Sequence, residues 1–383
     1  MVTTDNRNPF ASLDELLLPG DDGDAASDSS YSTGYDFLNA DIGETLAEAR
    51  RISANTADKA YRKLTASSNV TSYSLLTNLH KCPRLFELDK LQANSTIVVD
   101  SGIVNLDFAF GHAVGAGIQT FAVTKNLVAA QLAAFLAWRA PHDAEKVDKR
   151  GNSTGKSLAH ATYAVEAFSY FWESELSEWE VVRLPNGKPA TELAFAVNMQ
   201  QQPVPMYHFG HIDVVLQHKT MKTLAVWEGK TTTNEDVDEA EFANSNQALG
   251  YSVVVDKLAE ILGASGTEYE VLYIVYSAKA RKFQMLPFGK TRTQRAEWLQ
   301  DTLLDHANLA TYQRIGFYPK RGESCVNKWG RKCQWFGSCH MQNESLFPGV
   351  VPPVLEDVDS VESLDFKFTL AELIANQQQK GSK

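Results

Sequence analysis

At 383 residues, with 44% hydrophobic and 22% charged composition, the chain can bury a substantial core, as one large domain with appendages or as two small domains. The longest apolar run, Leu127 to Trp138, is too short to span a bilayer, and the N-terminus lacks the basic-then-apolar order of an export signal, which points to a soluble, cytoplasmic protein. A formal net charge of −11 disfavours nucleic acid as a partner until it is divided: residues 1–50 hold eleven acids against two arginines and residues 345–383 hold six against three lysines, leaving +1 for residues 51–344.

Residues 1–66 begin with an Asp/Ser/Gly-rich stretch containing "DDGDAASDSSYSTGYD", too poor in apolar side chains to offset the entropy of ordering, and read as a largely disordered acidic tail. The short apolar run Leu16 to Leu18 within it could dock on a partner. From Thr71, Leu75, Leu76, Leu79, Leu85 and Leu88 recur near helical spacing, Ser74 can cap the start, and Pro83 marks an end or a restart. Residues 109–139 read as one or two largely buried helices, and Leu158 to Trp179 as an amphipathic one. Just before it, "GNSTGKS" imitates a phosphate-binding loop, but three residues separate glycines that need four between them and no strand is expected upstream. It reads as a loop capping the next helix, and ATP is not an expected ligand.

The period then shifts towards two. "TELAFAVNM", "YHFGHIDVVLQ", "TLAVWEGKT" and "YEVLYIVYS" read as four strands, with a helix in "NSNQALGYSVVVDKLAEILG" between the third and fourth. A helix from about Thr293 to Arg314 leads into a cysteine-rich segment, and residues 344–383 read as a flexible tail. This order describes an α/β or α+β core, a mixed sheet flanked by helices with a helical N-terminal part.

Asp213 lies in one expected strand, and Glu228-Gly229-Lys230, separated from it by fourteen residues, lies in the next. Residues two apart in a strand share a face, so Glu228 and Lys230 should project together. Phosphodiester hydrolysis needs a hard cation to neutralise the phosphate and acidify a water, and two carboxylates suit Mg²⁺ or Mn²⁺. Lys230 beside them can orient the water or offset developing charge. Gln247 and Tyr251, four apart on the following helix, share one face, from which an amide and a phenol can reach the same phosphate.

The order Asp, Glu-x-Lys, Gln-x-x-x-Tyr resembles the RecB-like branch of the PD-(D/E)XK nuclease superfamily over roughly residues 72–340, within an expected domain of 67–343. The resemblance implies a restriction-endonuclease-like core and a metal-dependent deoxyribonuclease, in the first place an exonuclease on DNA ends or single strands in recombination, repair or replication. Asp213 and Glu228 would be metal ligands, Lys230, Gln247 and Tyr251 catalytic, and Glu192 would match the acid that opens that branch's strand block. One departure matters: where the family carries a metal-binding histidine this chain has Gly115, and His112, three residues earlier, is the substitute candidate, with His211 a weaker one. The compact format is also similar to phage-encoded proteins. No helicase motor is visible, so the protein would act alone or beside a separate helicase or recombination protein.

Four cysteines in a chain without an export signal favour ligation over disulfides. Iron–sulfur members of the branch, the AddB and CRISPR-adaptation nucleases, place one cysteine before the core and three after it, as Cys82, Cys325, Cys333 and Cys339 are placed here. The resemblance implies a [4Fe–4S] cluster; a zinc site, in which His340 could replace one ligand, and unligated thiols remain open. Around the last three lies a basic stretch with Trp329, Trp335 and Phe336 interleaved, where Lys328, Arg331 and Lys332, together with Arg84, are candidate DNA contacts. A solvated rim with its aromatics packed on the cluster is the equal alternative. Rival functions are a catalytically weak DNA-binding protein on the same fold and a structural iron–sulfur or zinc accessory protein.

Overall fold

The computed structural model describes residues 70–94, 105–199, 206–262, 264, 269–326, 330, 332–337, 339 and 365–379. The acidic tail expected at 1–66, and Lys328, Trp329, Arg331 and His340, lie outside the described residues.

Strand β1 (Val70–Ser72) leads into α1 (Tyr73–Lys81), whose cap is Ser72, accepting from the Leu75 amide, while Ser74 lies inside the helix. Cys82 interrupts with extended backbone, and α2 (Pro83–Asn94) restarts at the proline, where a missing amide hydrogen costs nothing. Helices α3 (Leu106–Thr124) and α4 (Leu127–Ala137) part at Lys125, which is left-handed, and each is capped by an asparagine, Asn105 and Asn126.

A hairpin of β2 (Glu145–Val147) and β3 (Ser153–Ser157) then precedes α5 (Leu158–Glu175). "GNSTGKS" is therefore partly strand, and a short strand does precede it, contrary to the sequence expectation; these charged strands lack the apolar alternation that reveals one. Ser157 does cap the next helix, accepting from the His160 amide.

Strands β4 (Trp179–Val181), β5 (Thr191–Asn198), β6 (Tyr207–His218) and β7 (Leu224–Thr232) follow. The chain continues through the short α6 (Ala240–Ala243), α7 (Asn246–Leu262), β8 (Tyr269–Ser277), β9 (Lys282–Lys290) and α8 (Arg292–Ile315), and closes with β10 (Phe366–Thr369) and α9 (Leu370–Gln379). No helix among the described residues is long and apolar enough to cross a membrane.

One mixed sheet runs β10-β5-β6-β7-β8-β9, with β1 and β4 also paired to opposite ends of the long β6. Strands β5, β6 and β7 are antiparallel neighbours; β8 joins β7 in parallel after the α7 crossover. Side-chain alternation loads both faces. Val271, Tyr273 and Val275 enter a core with α7, α8 and α9, whereas Leu272, Ile274 and Tyr276 enter a second core with α3, α4 and α5. Burial on both faces makes β7 and β8 near-continuous apolar runs.

Residues 365–379 are not the flexible tail expected from composition. Strand β10 adds to β5 in parallel, and Phe368, Leu370 and Leu373 are buried in the first core. Asn376 and Gln377 donate to the buried Asp256 on α7 at 2.7 and 2.6 Å. The segment is short and partly polar, so its signal was weak; a preformed sheet edge supplies the order that its composition does not.

Candidate active site

The cleft forms where β6 and β7 stop pairing. Their ladder runs from Gln217↔Leu224 to Val214↔Trp227 and ends there, and the next strand amide, Gly229 N–H, donates 2.8 Å to Asp213 Oδ2 instead of to a β6 carbonyl. Ile212 packs in the first core and Val214 in the second, although only two residues apart, so the strand's alternation breaks at Asp213. The splayed end opens a cavity of about 650 Å³ lined by β6, β7, α3 and α7.

Glu192, in register opposite Asp213, makes no ladder pair there and has φ +48°, a conformation costly for a side chain with a Cβ. Its carboxylate accepts from Gln119 Nε2 on α3 at 2.8 Å. Glu228 is buried; one oxygen pairs with Lys230, and the other, Oε2, has no hydrogen-bond partner among the described residues. Lys230 Nζ also donates to Gln247 Oε1 at 3.3 Å, and Gln247 Nε2 donates to the Tyr251 hydroxyl at 3.0 Å. Glu228, Lys230, Gln247 and Tyr251 thus form one hydrogen-bonded chain, and Asp213 and Glu192 line the same cavity.

Electrostatics describe an anionic pocket short of cations. Burial, followed by the charges of Glu228 and Glu192, pushes the Asp213 carboxyl well above its ordinary value despite Lys230 and the Gly229 amide. Burial alone would lower the Lys230 ammonium, but Glu228 and Asp213 raise it, so it stays charged. Burial, and then the same two carboxylates, hold the Tyr251 phenol well up and protonated.

A divalent cation fits this donor set: it would satisfy the orphaned Oε2 of Glu228 and relieve the repulsion that burdens Asp213. Among the described residues no three His, Cys, Asp or Glu are already gathered about one metal position, so an ion here would rely on one or two carboxylates plus water and substrate oxygens.

The histidine question resolves into geometry. Gly115 lines the cavity, and a Cβ built on it meets nothing within 4 Å, so the place of the family histidine is open space. His112 also lines the cavity, its ring 4.1 Å from that of Phe108, and burial, then Arg139, lowers its pKa and keeps it neutral. His211 lines the cavity too, with its ring against Phe209.

The cysteines converge across the chain. Cys82, Cys325, Cys333 and Cys339 line one cavity of about 350 Å³, walled in part by Leu85, Leu88, Trp335 and Phe336. Burial, and then the neighbouring Cys82, Cys333 and Cys339, raise the Cys325 thiol. The anchor is Asp89 on α2, which accepts from Gln334 Nε2 (2.6 Å), Trp335 Nε1 (3.0 Å) and Asn78 Nδ2 (2.7 Å). Nothing in the sequence singled out Asp89, or Gln119, because single polar residues on helices carry no spacing signal.

Of the expected DNA contacts, Lys332 is exposed, its ammonium over the Phe336 ring at 5.0 Å. Arg84 is turned to another use: its side chain is largely buried and paired with Glu87 one helical turn on.

Comparison with known families gives one match: the sequence model described as the PD-(D/E)XK nuclease superfamily covers residues 70–340. No curated protein matches the chain.

Proposed function

Because the chain belongs to the PD-(D/E)XK nuclease superfamily and has its mixed, restriction-endonuclease-like architecture, we propose that it is a Mg²⁺- or Mn²⁺-dependent deoxyribonuclease of the RecB-like kind, an exonuclease on DNA ends or single strands. The observation that carries this reading is the buried, unpartnered Glu228 Oε2 facing a raised Asp213 carboxyl beside a charged Lys230.

Asp213 and Glu228 would hold the metal, which when bound neutralises phosphate charge and acidifies a water. Lys230 orients the nucleophilic water and offsets charge developing on the phosphoryl oxygens. Gln247 fixes Lys230 and, with the protonated Tyr251 hydroxyl, positions the phosphate. Gln119 holds Glu192 against the site, where Glu192 tunes the Asp213 proton. The enzyme would work alone or beside a separate helicase or recombination protein, in the bacterial cytoplasm, with a phage gene as its proposed source.

End-labelled single- and double-stranded DNA should be cut with Mn²⁺ and spared with chelator. Lys230→Ala and Asp213→Ala should lose cutting and keep DNA binding; cutting that survives both substitutions refutes the site. The open space at Gly115 favours one rival, a catalytically weak DNA-binding protein, for which wild-type DNA would bind and stay intact.

We propose that Cys82, Cys325, Cys333 and Cys339, which line one cavity although no three of them are gathered about one metal position, close around a [4Fe–4S] cluster, with zinc as the alternative. The cluster would staple α2 to the segment after α8 across more than two hundred residues. Anaerobic purification should yield brown protein with about four irons per chain. Zinc alone would reassign the site, and neither metal would end the proposal.

A further inference from the structure

We propose that Phe108, backed by His112, is a stacking platform for an unpaired nucleobase at the outer end of the cleft, so that single-stranded DNA is the form threaded along α3. This rests on the nuclease reading for the direction of the strand, but not for the platform itself.

A lone exposed phenylalanine is unremarkable on a protein surface; three further observations distinguish this one. Phe108 is 60% exposed yet lines the same cavity as the acidic centre, and its ring lies against that of His112 at 4.1 Å. Its position is fixed: the adjacent Asp107, in the first turn of α3, is clamped by Lys146 and by Lys156, the latter at 2.6 Å, from the β2–β3 hairpin. Inward from the ring, the same helix presents Gly115, whose Cβ position is open, and then Gln119 on Glu192. An aromatic lip is thus followed, past His112, by open space over Gly115 and then by the acids. At a rise of about 1.5 Å per residue, Phe108 and Gln119 stand roughly 16 Å apart along the axis.

The charge on the cavity wall explains why such a lip is needed. Among the described lining residues, Glu192, Asp213 and Glu228 face a single Lys/Arg side chain, Lys230, and the charge of Asp107 is already met by Lys146 and Lys156. Ionic capture of phosphates cannot supply much affinity inside this wall, whereas stacking on a base face is indifferent to phosphate charge. A paired base offers no free face except at a terminus, so the platform selects unpaired strand.

The test uses the full chain with short single-stranded oligonucleotides carrying 2-aminopurine at successive positions, with EDTA present so that nothing is cut. Wild type and Phe108→Trp should quench the probe at one position or two adjacent ones. Phe108→Ala should abolish that quench and weaken binding by about fivefold or more. The same factor should hold at low and high salt, which loss of an ion pair would not give. An unchanged quench, or binding by Phe108→Ala within about twofold of wild type, overturns the platform. So does a wild type that does not bind the oligonucleotide. Unaltered melting of the variants, expected from so exposed a side chain, separates these outcomes from misfolding. A Phe108-dependent quench in a wild type that never cuts DNA with Mn²⁺ would refute the nuclease reading and leave the platform standing.

Discussion

Two places in this molecule set carboxylates against a cation out of bulk water, and they are built to opposite ends. At Asp256 the carboxylate's own account is closed: Arg295 lies 4.0 Å from one oxygen, Asn376 and Gln377 donate to the other, and the neutral amide oxygens of those two donors go without a hydrogen bond among the described residues. At Asp213 and Glu228 it is left open: three acids share one lysine, an oxygen of Glu228 is unpartnered, and Glu192 holds a strained backbone. The first arrangement holds α9 onto α7. The second leaves a repulsion that a bound cation can relieve, which supports the proposed metal site.

Substitutions can break the contrast. Asp213→Asn should reduce Mn²⁺-dependent cutting by on the order of a thousandfold or more while leaving the melting temperature equal or higher, because it removes repulsion. Asp256→Ala should do the reverse. With Arg295 left buried and uncompensated, chemical denaturation should show a loss of about 3–5 kcal/mol, and the folded fraction should cut at the wild-type rate. Equal destabilisation by both substitutions would erase the distinction.

Proton linkage sharpens it. The folded-state value of Asp213 is raised, so between its unfolded value near 3.8 and that raised value the native state binds the extra proton, and stability falls as pH rises through this window. Calorimetry of metal-free protein should therefore show wild type gaining on Asp213→Asn as the pH is lowered from neutrality. Saturating Mn²⁺ should flatten the difference. The smallest effect is expected at Tyr251→Phe, which removes one hydroxyl from the end of the Lys230–Gln247 chain: about tenfold in kcat with KM little changed.

The same contrast tells which parts were legible in the sequence. Glu228 with Lys230, and Gln247 with Tyr251, could be read because strand and helix periods alone place each pair on one side, and the structure joins them. Asp256 could not: its partners arrive from a segment that composition marked as loose. Strand β9 went unread because Pro287 sits in it, tolerable only at a sheet edge, which is where β9 lies. The Glu192 strand was visible, but neither its left-handed backbone nor the Gln119 contact follows from any local pattern.

The distance in sequence between Asp256 and its two amides also bears on how the protein is made. The acid leaves the ribosome 120 residues before Asn376, an interval of roughly ten seconds at ordinary translation speeds. For that time α7 carries a carboxylate that the finished core will not accept without those amides, so the sheet can assemble but the final closure waits for the last helix. Chaperones have that interval in which to act, and a chain cut short before α9 would be left in the unfinished form.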